Sequence, residues 1–392
     1  MRRWLTSLSA VGVVGAALLP VVSETTPARA TTLPAIRHVF VIVLENQSES
    51  ATFGNPSADP YLAQTLPSLG AFVPNYYATG HVSNDNYISM VSGQAPNIQN
   101  QGDCQIYDQF LGVAPLVSGT GTPLDGQAIG TGCVYPTSVP TIAGQLTNAK
   151  FTWKGYMEDM GNVPSRESAV CGHPALNSQD GTQSAVTGDG YVTRHDPFVY
   201  FQSIIGNQAY CGSHVVPLGS TSGALPAAPV GTTGLATDLN SIATTPNLSF
   251  ITPDVCDDGH DFPCTNEPTP ATSAVGDVDA FLQTWVPKIL ASPAYEQDGL
   301  LVITFDEGAV TDASSCCNEL PGPGSPLPGI TGLGGGQTGA VLLSPFIKGG
   351  TVTQTAYNHY SLLGSIEDLF GLPRLGFAAD VPGTFGNDVY NK

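Results

Sequence analysis

The segment HVFVIVL at residues 38–44 is an unbroken run of apolar, mostly β-branched residues. Such a run is typical of a strand that is buried on both faces, as in the parallel sheets of α/β proteins. The run stops abruptly at two polar residues, Glu45 and Asn46. A buried strand that ends at an acid is therefore the first structural feature that the sequence predicts.

Three further apolar runs continue this pattern, and two of them also stop at acids. They are LSFIT at 248–252, before Pro253-Asp254, LLVITF at 300–305, before Asp306-Glu307, and VLL at 341–343, before Ser344-Pro345. A helix is predicted between LSFIT and LLVITF, with Asp277 as its expected N-cap. Its apolar residues recur on one face of the helix: Val278, Phe281, Leu282, Trp285 and Ile289.

A second amphipathic helix is predicted from Tyr360 to Phe370, and Gly371 and Pro373 end it. Strands that alternate with helices predict an α/β fold with a mainly parallel central sheet flanked by helices. In such sheets ligands bind at the carboxyl ends of the strands, which is where the acids fall.

The composition excludes several classes of protein. The chain has 392 residues with 12 Lys+Arg against 32 Asp+Glu, a formal net charge of −20. Too few basic residues are present for a broad nucleic-acid surface. A hydrophobic content of 41% argues against an acidic disordered tail, and 45 Gly with 32 Pro argue against a helical bundle.

Residues 1–30 have the pattern of a secretory signal peptide. Arg2 and Arg3 precede an apolar run from Ala10 to Val22, and Ala28-Arg29-Ala30 resembles a cleavage site. The run is shorter than the roughly 20 residues that span a bilayer, and no later stretch approaches that length. We therefore expect cleavage after Ala30, a secreted monomer without a membrane span, and a single domain over residues 31–392.

The cysteine pattern agrees with export. All eight cysteines follow residue 30, which allows up to four disulfides of open connectivity. Cys256 and Cys264 could close one loop, whereas the adjacent Cys316 and Cys317 are expected to pair with other cysteines because a vicinal bridge is strained. Six of the eight cysteines lie in, or at the edge of, four segments that are rich in Gly, Ser, Thr, Pro and Asn. These segments are residues 100–135, 161–190, 212–232 and 310–338. We interpret them as long surface insertions tied by disulfides.

The acids at the strand ends predict a metal site. Glu45-Asn46, Asp306-Glu307 and the cluster Asp257-Asp258-Gly259-His260-Asp261 all follow apolar runs. Grouping several carboxylates in a partly buried place is costly unless a cation neutralises them. Oxygen ligands with one or two imidazoles suit a divalent metal ion. The alternative is that these acids cap helices or lie in solvated turns.

The segment GHVSNDNY at 80–87 is the candidate for nucleophilic chemistry. Ser83 would start a helix, where free N–H groups and the helix dipole favour an anion such as phosphate. The same position lowers the cost of forming an alkoxide on the Ser83 hydroxyl. The alternative is that Ser83 is only a helix cap and that His81 is an ordinary surface residue.

The other histidines give weaker indications of a role in the site. His359, just before the last helix, could face the site. We interpret His195, in HDPF at 195–198, as a helix cap, and His38 as structural.

The sequence resembles the bacterial phosphoesterase family that contains the phospholipases C and the secreted acid phosphatases, above all those of actinobacteria. The matching segments run in order from residue 36 to residue 376: IRHVFVIVLENQS (36–48), GHVSNDNYISMVSG (80–93), WKGYMEDM (153–160), HDPFVYF (195–201), FITPDVCDDGHD (250–261), LLVITFDEG (300–308) and YNHYSLLGSIEDLFGLPRLG (357–376). The resemblance implies an alkaline-phosphatase-like fold and a metal-assisted Ser or Thr nucleophile.

The resemblance also implies a role for individual residues. Ser83 would be the nucleophile, while His81 and Asn86 would contact phosphate oxygens or position Ser83. Asp258, His260 and His359 would be ligands of a second metal or acid–base groups, with His260 or His359 protonating the leaving oxygen. Glu45, Asn46 and Asp306 would bind a divalent ion of open identity (Ca²⁺, Mg²⁺ or Zn²⁺), with Glu307 beside them.

These features predict an exported phosphomonoesterase. The substrate would be a phosphorylated small molecule or a lipid head group, including phosphoinositides such as phosphatidylinositol 3-phosphate. The alternatives are a phospholipase C-type phosphodiesterase and an inactive exported module that binds phosphate. The strong negative charge favours a soluble phosphomonoester over a lipid held in an anionic membrane.

Overall fold

Strand β1 (His38–Leu44) is buried at every position and lies inside an eight-stranded sheet. The structure is a computed structural model that describes residue 1 and residues 33–113, 115, 119–122, 124–225, 227–268 and 271–392. The predicted signal peptide, residues 1–30, lies outside the described residues except for Met1. Contacts among the residues from Leu33 to Lys392 group them into one compact unit, and the domain boundary at residue 31 stays a prediction.

The strands of the described residues, in chain order, are β1 (His38–Leu44), β2 (Ala71–Val73), β3 (Tyr76–Tyr77), β4 (Ile106–Tyr107), β5 (Leu111–Val113), β6 (Ile129–Thr131), β7 (Trp153–Met157), β8 (Ser178–Gln179), β9 (Val215–Pro217), β10 (Leu248–Thr252), β11 (Gly299–Phe305), β12 (Ala340–Leu343), β13 (Thr351–Val352) and β14 (Tyr357–Asn358). The α-helices are α1 (Leu66–Leu69), α2 (Ser83–Ser92), α3 (Ile142–Asn148), α4 (Gln202–Ile205), α5 (Gln208–His214), α6 (Leu235–Asp238), α7 (Ala274–Leu290), α8 (Pro293–Asp298) and α9 (His359–Phe370). One turn of π-helix spans Tyr61–Thr65, and short 3₁₀ helices span Asn100–Gly102, Thr193–His195, Pro197–Tyr200 and Gly376–Ala379.

The central sheet has the strand order β13-β2-β12-β11-β1-β10-β7-β9. β1 pairs in parallel with β10 on one side and with β11 on the other. β12 is antiparallel to both of its neighbours, β11 and β2. The prediction of a mainly parallel α/β sheet is confirmed. However, the end of β12 at Ser344 lies beside Gly299, at the start of β11, and therefore at the edge of the sheet away from the acids.

Alternating side chains of β1 enter two separate hydrophobic cores. Val39, Val41 and Val43 pack on one face of the sheet, in a core to which α2, α3 and α9 contribute. Phe40, Ile42 and Leu44 pack on the other face, where α7 supplies the apolar residues predicted from its periodicity. Each face of the sheet is therefore covered, which is why β1 is apolar at every position after His38.

The two predicted helices form, with one correction at a helix start. α9 ends at Gly371, whose φ of 67° is the left-handed conformation common after helices. α7 begins at Ala274 and is capped by Ser273, which accepts from the N–H of Gly276. The prediction of Asp277 as the N-cap is wrong, because the Asp277 side chain lies within the first turn and accepts from the N–H of Ala271.

Four disulfides join the eight cysteines: Cys104–Cys133, Cys171–Cys211, Cys256–Cys264 and Cys316–Cys317. The loop closed by Cys256 and Cys264 is as predicted. The expectation that Cys316 and Cys317 pair outward is wrong, because the other six cysteines are already paired with one another. Among the described residues no helix is both long and apolar enough to cross a bilayer.

Asp59 offers a test of the packing around the π-helical turn. Its carboxyl is buried, and neither oxygen has a hydrogen-bond partner among the residues described. Burial, together with nearby Asp279, raises the pKa of Asp59 to about 7. Since this pKa lies above that of the unfolded chain, the protonated group stabilises the fold at acidic pH, and that contribution is lost as the pH rises through about 7.

We therefore expect Asp59→Asn to stabilise the protein selectively at alkaline pH. The amide has nearly the same shape without the charge, so at pH 8 the variant should melt roughly 2–4 °C above the wild type. Scanning calorimetry should show this difference shrinking towards pH 5. An equal difference at both pH values would contradict protonation of Asp59.

Candidate active site

Ser83 is the first residue of α2 and is buried with the whole of that helix. Its hydroxyl donates a hydrogen bond to Glu45 Oε2, over 3.0 Å. The next backbone N–H, of Asn84, donates to Asp103 Oδ1 at 3.0 Å. The helix start therefore places an alcohol beside a carboxylate at the carboxyl end of β1, as the sequence pattern predicts.

Glu45, His195 and Asp258 form the group of side chains best suited to hold a cation. His195 Nε2 lies 2.9 Å from Glu45 Oε1, and His195 Nδ1 lies 3.1 Å from Asp258 Oδ2. One ligand atom from each residue lies within 4.8 Å of the other two. All three side chains are buried, and among the described residues these four atoms have no partner with hydrogen-bond geometry.

This donor set fits a divalent cation. Buried carboxylate oxygens and imidazole nitrogens that approach one another without hydrogen bonding would share a positive ion favourably. Burial lowers the pKa of His195 well below its usual value, with Arg194 and His260 acting in the same direction, so the ring is neutral and able to donate a lone pair. Burial and Glu45 raise the pKa of Asp258 well above normal, a state that a bound cation would reverse.

Asp306 completes the acidic side of the site. Its Oδ1 accepts from the backbone N–H of Asn46 at 3.1 Å and of Glu307 at 2.6 Å. Its Oδ2 is buried and has no hydrogen-bond partner in the described part of the chain. Burial, and then Glu45, raise the pKa of Asp306 well above its ordinary value. Metal binding by Asp306, predicted from the sequence, remains a prediction that this orphaned oxygen supports.

Asn46 and Glu307 lie beside this group without joining it. Asn46 adopts a left-handed φ of 57° and presents its backbone N–H to Asp306. The Glu307 carboxylate is paired instead with His81 Nδ1, and both side chains are buried. Their predicted roles as metal ligands stay predictions, and for Glu307 the role would require the contact with His81 to break.

His81 and Asn86 both support the loop that leads into α2. His81 Nε2 lies 3.0 Å from the carbonyl oxygen of Asp312, so both of its ring nitrogens are engaged. Asn86 Oδ1 accepts from the N–H groups of Thr79 and Gly80, and its Nδ2 donates to Val82 O at 3.0 Å. Of the two roles expected for these residues, positioning Ser83 is the one that these contacts fit.

His359 and His260 differ in what surrounds them. His359 is fully buried at the start of α9, with Nε2 2.5 Å from Asp306 O and Nδ1 3.2 Å from the hydroxyl of Tyr76. Burial lowers the pKa of His359 to about 4, so its neutral ring supports the end of β11. The ring of His260 is partly exposed, and its Nδ1 lies 2.7 Å from Asp261 Oδ1.

The pKa of His260 reflects two opposing effects. Burial lowers it, but the hydrogen bond to Asp261 and the charge of Glu45 outweigh that effect, so the pKa is raised overall. His260 therefore holds a proton more readily than an ordinary histidine, whereas the pKa of His359, about 4, keeps its ring neutral at neutral pH.

His195 is the site residue for which the sequence interpretation was wrong. The cap of the following 3₁₀ turn is Asp196, which accepts from the N–H of Phe198. The His195 ring instead stacks on Tyr87 of α2, with the ring centroids 5.2 Å apart. The only sequence signal was its place in the segment HDPFVYF, because nothing near residue 195 indicates that the ring reaches Glu45.

A family model for the phosphoesterase family matches residues 61–373. The chain belongs to the phosphoesterase family. It is therefore a phosphoric ester hydrolase, as the sequence resemblance implies. The match spans α2 and the ends of β10 and β11, and so includes every predicted site residue except Glu45 and Asn46.

Two curated relatives show the range of this similarity. The chain is 24% identical over 385 residues to a phosphatidylinositol-3-phosphatase of Mycobacterium tuberculosis, covering 97% of this chain and 94% of the relative. It is 26% identical over 385 residues to a phosphate-repressible acid phosphatase of Penicillium chrysogenum, covering 95% and 72% respectively. Among solved structures, a protein of the alkaline phosphatase superfamily from Vibrio parahaemolyticus aligns with a TM-score of 0.44 at 13% identity, covering 86% of this chain and 67% of that one.

Replacement of His195 by alanine tests the cation site of this phosphoesterase. The variant should bind a divalent cation at least about tenfold more weakly, because one of three ligands is lost. Titration calorimetry with Mg²⁺, Ca²⁺, Mn²⁺ and Zn²⁺, and the rise in melting temperature on adding each ion, measure the effect.

His38→Ala is the matched control for this experiment. His38 is also a buried histidine paired with an acid, 2.6 Å from Asp298, but at the opposite end of β1. This variant should lose stability and keep its cation affinity. Equal affinities in the His195 variant and the wild type would remove His195 from the site.

Proposed function

We propose that the protein is an exported, metal-dependent phosphomonoesterase of the acid-phosphatase type. The observation that carries this proposal is the contact of Ser83 with the cation-binding group. The hydroxyl of a residue at a helix start is bonded to Glu45, whose other oxygen faces His195. That arrangement puts an alcohol nucleophile where an anionic phosphate can be neutralised.

Ser83 would act as a covalent nucleophile. Its Oγ passes its proton to Glu45 Oε2, to which it is hydrogen-bonded, and attacks phosphorus; a new O–P bond forms, and the ester O–P bond to the leaving alcohol breaks. Water then attacks the phosphoserine, releasing phosphate and restoring the hydroxyl. A divalent cation bound by Glu45, His195 and Asp258 would neutralise phosphate charge and lower the pKa of the Ser83 hydroxyl. The loop tied by Asn86 keeps the Ser83 hydroxyl in place through these steps.

His260 is the residue that we assign to protonate the leaving oxygen. Its ring is partly exposed at the rim, where a leaving alcohol departs towards water, and Asp261 helps it retain a proton. His359 is less suited, because both of its ring nitrogens are already engaged and burial holds its pKa near 4.

The relatives suggest a substrate class and a location. The mycobacterial relative, named for phosphatidylinositol 3-phosphate, aligns with nearly all of this chain, and several others are named acid phosphatases. We infer a phosphomonoester of an alcohol, with phosphoinositide head groups included. Four disulfides together with the N-terminal pattern of residues 1–30 support an extracellular location.

Ser83→Ala should abolish turnover of p-nitrophenyl phosphate, by about 10³-fold or more, because no other hydroxyl is bonded to Glu45 among the described residues. Wild-type enzyme quenched in acid should carry phosphate on Ser83, detected by mass spectrometry. Ser92→Ala is the matched control, since Ser92 is a buried serine at the other end of α2 that bonds only Ile88 O. Wild-type activity in the Ser83→Ala variant would contradict the proposed mechanism.

Parallel assays should separate a monoesterase from a diesterase. We expect the kcat/KM for p-nitrophenyl phosphate to exceed that for p-nitrophenylphosphorylcholine by at least about tenfold. Short-chain phosphatidylinositol 3-phosphate should release phosphate and leave the lipid intact. The reverse preference would indicate a phospholipase C-type enzyme, and inactivity on all three with phosphate binding retained would indicate a binding module.

A further inference from the structure

Arg194 is a buried arginine whose guanidinium is incompletely bonded. The residue is 4% exposed. Its Nη1 donates to Gln183 O at 2.9 Å, and its Nη2 lies 3.3 Å from His260 Nε2. Its Nε has no hydrogen-bond partner in the part of the chain that the structure describes, and lies 3.7 Å from Asp103 Oδ2. A guanidinium has five N–H groups, so donors remain for a ligand.

The position of Arg194 is tied to both halves of the site. Its carbonyl oxygen accepts from Asn84 Nδ2 at 3.1 Å, and Asn84 directly follows Ser83 in α2. The next residue in the chain is His195 of the cation-binding group. The guanidinium is also close enough to Glu45 for its charge to oppose the rise in the pKa of Glu45 that burial causes. Arg194 thus lies between the start of α2 and the rim marked by His260.

A phosphate group entering this site meets an excess of negative charge. Four acids lie at or beside the site: Glu45 bonds Ser83, Asp103 bonds the N–H of Asn84, Asp258 faces His195, and Asp306 bonds the N–H of Asn46. The protein as a whole has a formal net charge of −20. One divalent cation offsets only part of that charge. The remaining arginines of the described residues are engaged elsewhere: Arg37 with Leu369 O, Arg166 with Asp189 and Arg374 with Asp368.

We propose that Arg194 is the phosphate-binding residue of this enzyme, its free guanidinium donors holding oxygens of the substrate's phosphoryl group beside Ser83. This inference rests on the proposed function and adds to it the positive charge that the protein itself supplies. A planar guanidinium matches two phosphate oxygens at once, and a donor fixed in a buried site stabilises charge on those oxygens without reorganisation. The long contact to His260 is the bond that a phosphate oxygen can replace.

The test compares Arg194→Ala, Arg194→Lys and Arg166→Ala with the wild type, each loaded with the divalent cation that binds the wild type most tightly. Titration calorimetry with inorganic phosphate should show about tenfold or greater weakening in Arg194→Ala and partial recovery in Arg194→Lys. With p-nitrophenyl phosphate, kcat/KM should fall about 10²–10³-fold in Arg194→Ala. Added guanidine should restore part of that activity.

Arg166→Ala is the matched control, because the Arg166 side chain is also largely shielded, 8% exposed, but pairs with Asp189, 2.8 Å away. It should lose thermal stability and keep its phosphate affinity. Phosphate affinity in Arg194→Ala within about twofold of the wild type would overturn the inference. A parallel loss of cation affinity in that variant would also overturn it, because Arg194 would then act by holding His195. A wild type that binds phosphate through Arg194 but hydrolyses no phosphomonoester would contradict only the proposed function.

Discussion

The parallel pairing of β1 with β10 and β11 is the constraint on which the site depends. The β1–β11 register places Leu44 opposite Phe305, so the residues that follow, Glu45 and Asp306, leave the sheet side by side. Backbone hydrogen bonds continue the ladder beyond the strands: Glu45 N donates to Asp258 O at 2.9 Å, and Asp306 N donates to Leu44 O at 2.8 Å. Three acids from distant parts of the chain are therefore held together by main-chain geometry. The packing of both faces of the sheet makes any other register costly, because a shift by one residue would exchange the two cores.

Holding these acids together in a buried place is unfavourable for the fold. Burial raises the pKa values of Glu45, Asp258 and Asp306, and the charge of Glu45 raises those of Asp258 and Asp306 further. Each of the three keeps one oxygen without a hydrogen-bond partner among the described residues. A chain selected only for stability would replace such a group with apolar residues. A divalent cation held by Glu45, His195 and Asp258 would make the arrangement favourable, and the guanidinium of Arg194 already opposes the rise in the pKa of Glu45. The buried acids therefore explain why positive charge is needed at this place. The proposed metal ion and the proposed contact of Arg194 with phosphate both depend on that positive charge.

The proposed nucleophile Ser83 and the cationic groups near it come from segments outside the sheet, which need separate support. Asn86 ties the loop before Ser83, and Asp103 holds the N–H of Asn84. Cys104, bonded to Cys133, follows Asp103 directly, and Cys171–Cys211 closes the chain on either side of Arg194 and His195. Long insertions with little apolar surface of their own would order poorly without such links. The disulfides therefore bear on the precision of the site as well as on stability.

The apolar runs were sufficient to predict β1, β10, β11 and α9 almost to the residue, and the acids that end the strands predicted the position of the candidate site. Local pattern also identified Ser83 as the first residue of a buried helix. Those features depend on periodicity and on the side chains of near neighbours, which a sequence contains. Other features depend on contacts between distant segments, which the sequence pattern does not reveal. They are the pairing of Cys316 with Cys317, the antiparallel direction of β12, and the hydrogen bonds that occupy the ring nitrogens of His81 and His359. His195 and Arg194 show this most clearly, because their neighbours in the chain resemble an ordinary helix start. Only the folded chain brings that segment against Glu45 and Asp258, where an imidazole and a guanidinium meet the charges that give them a function.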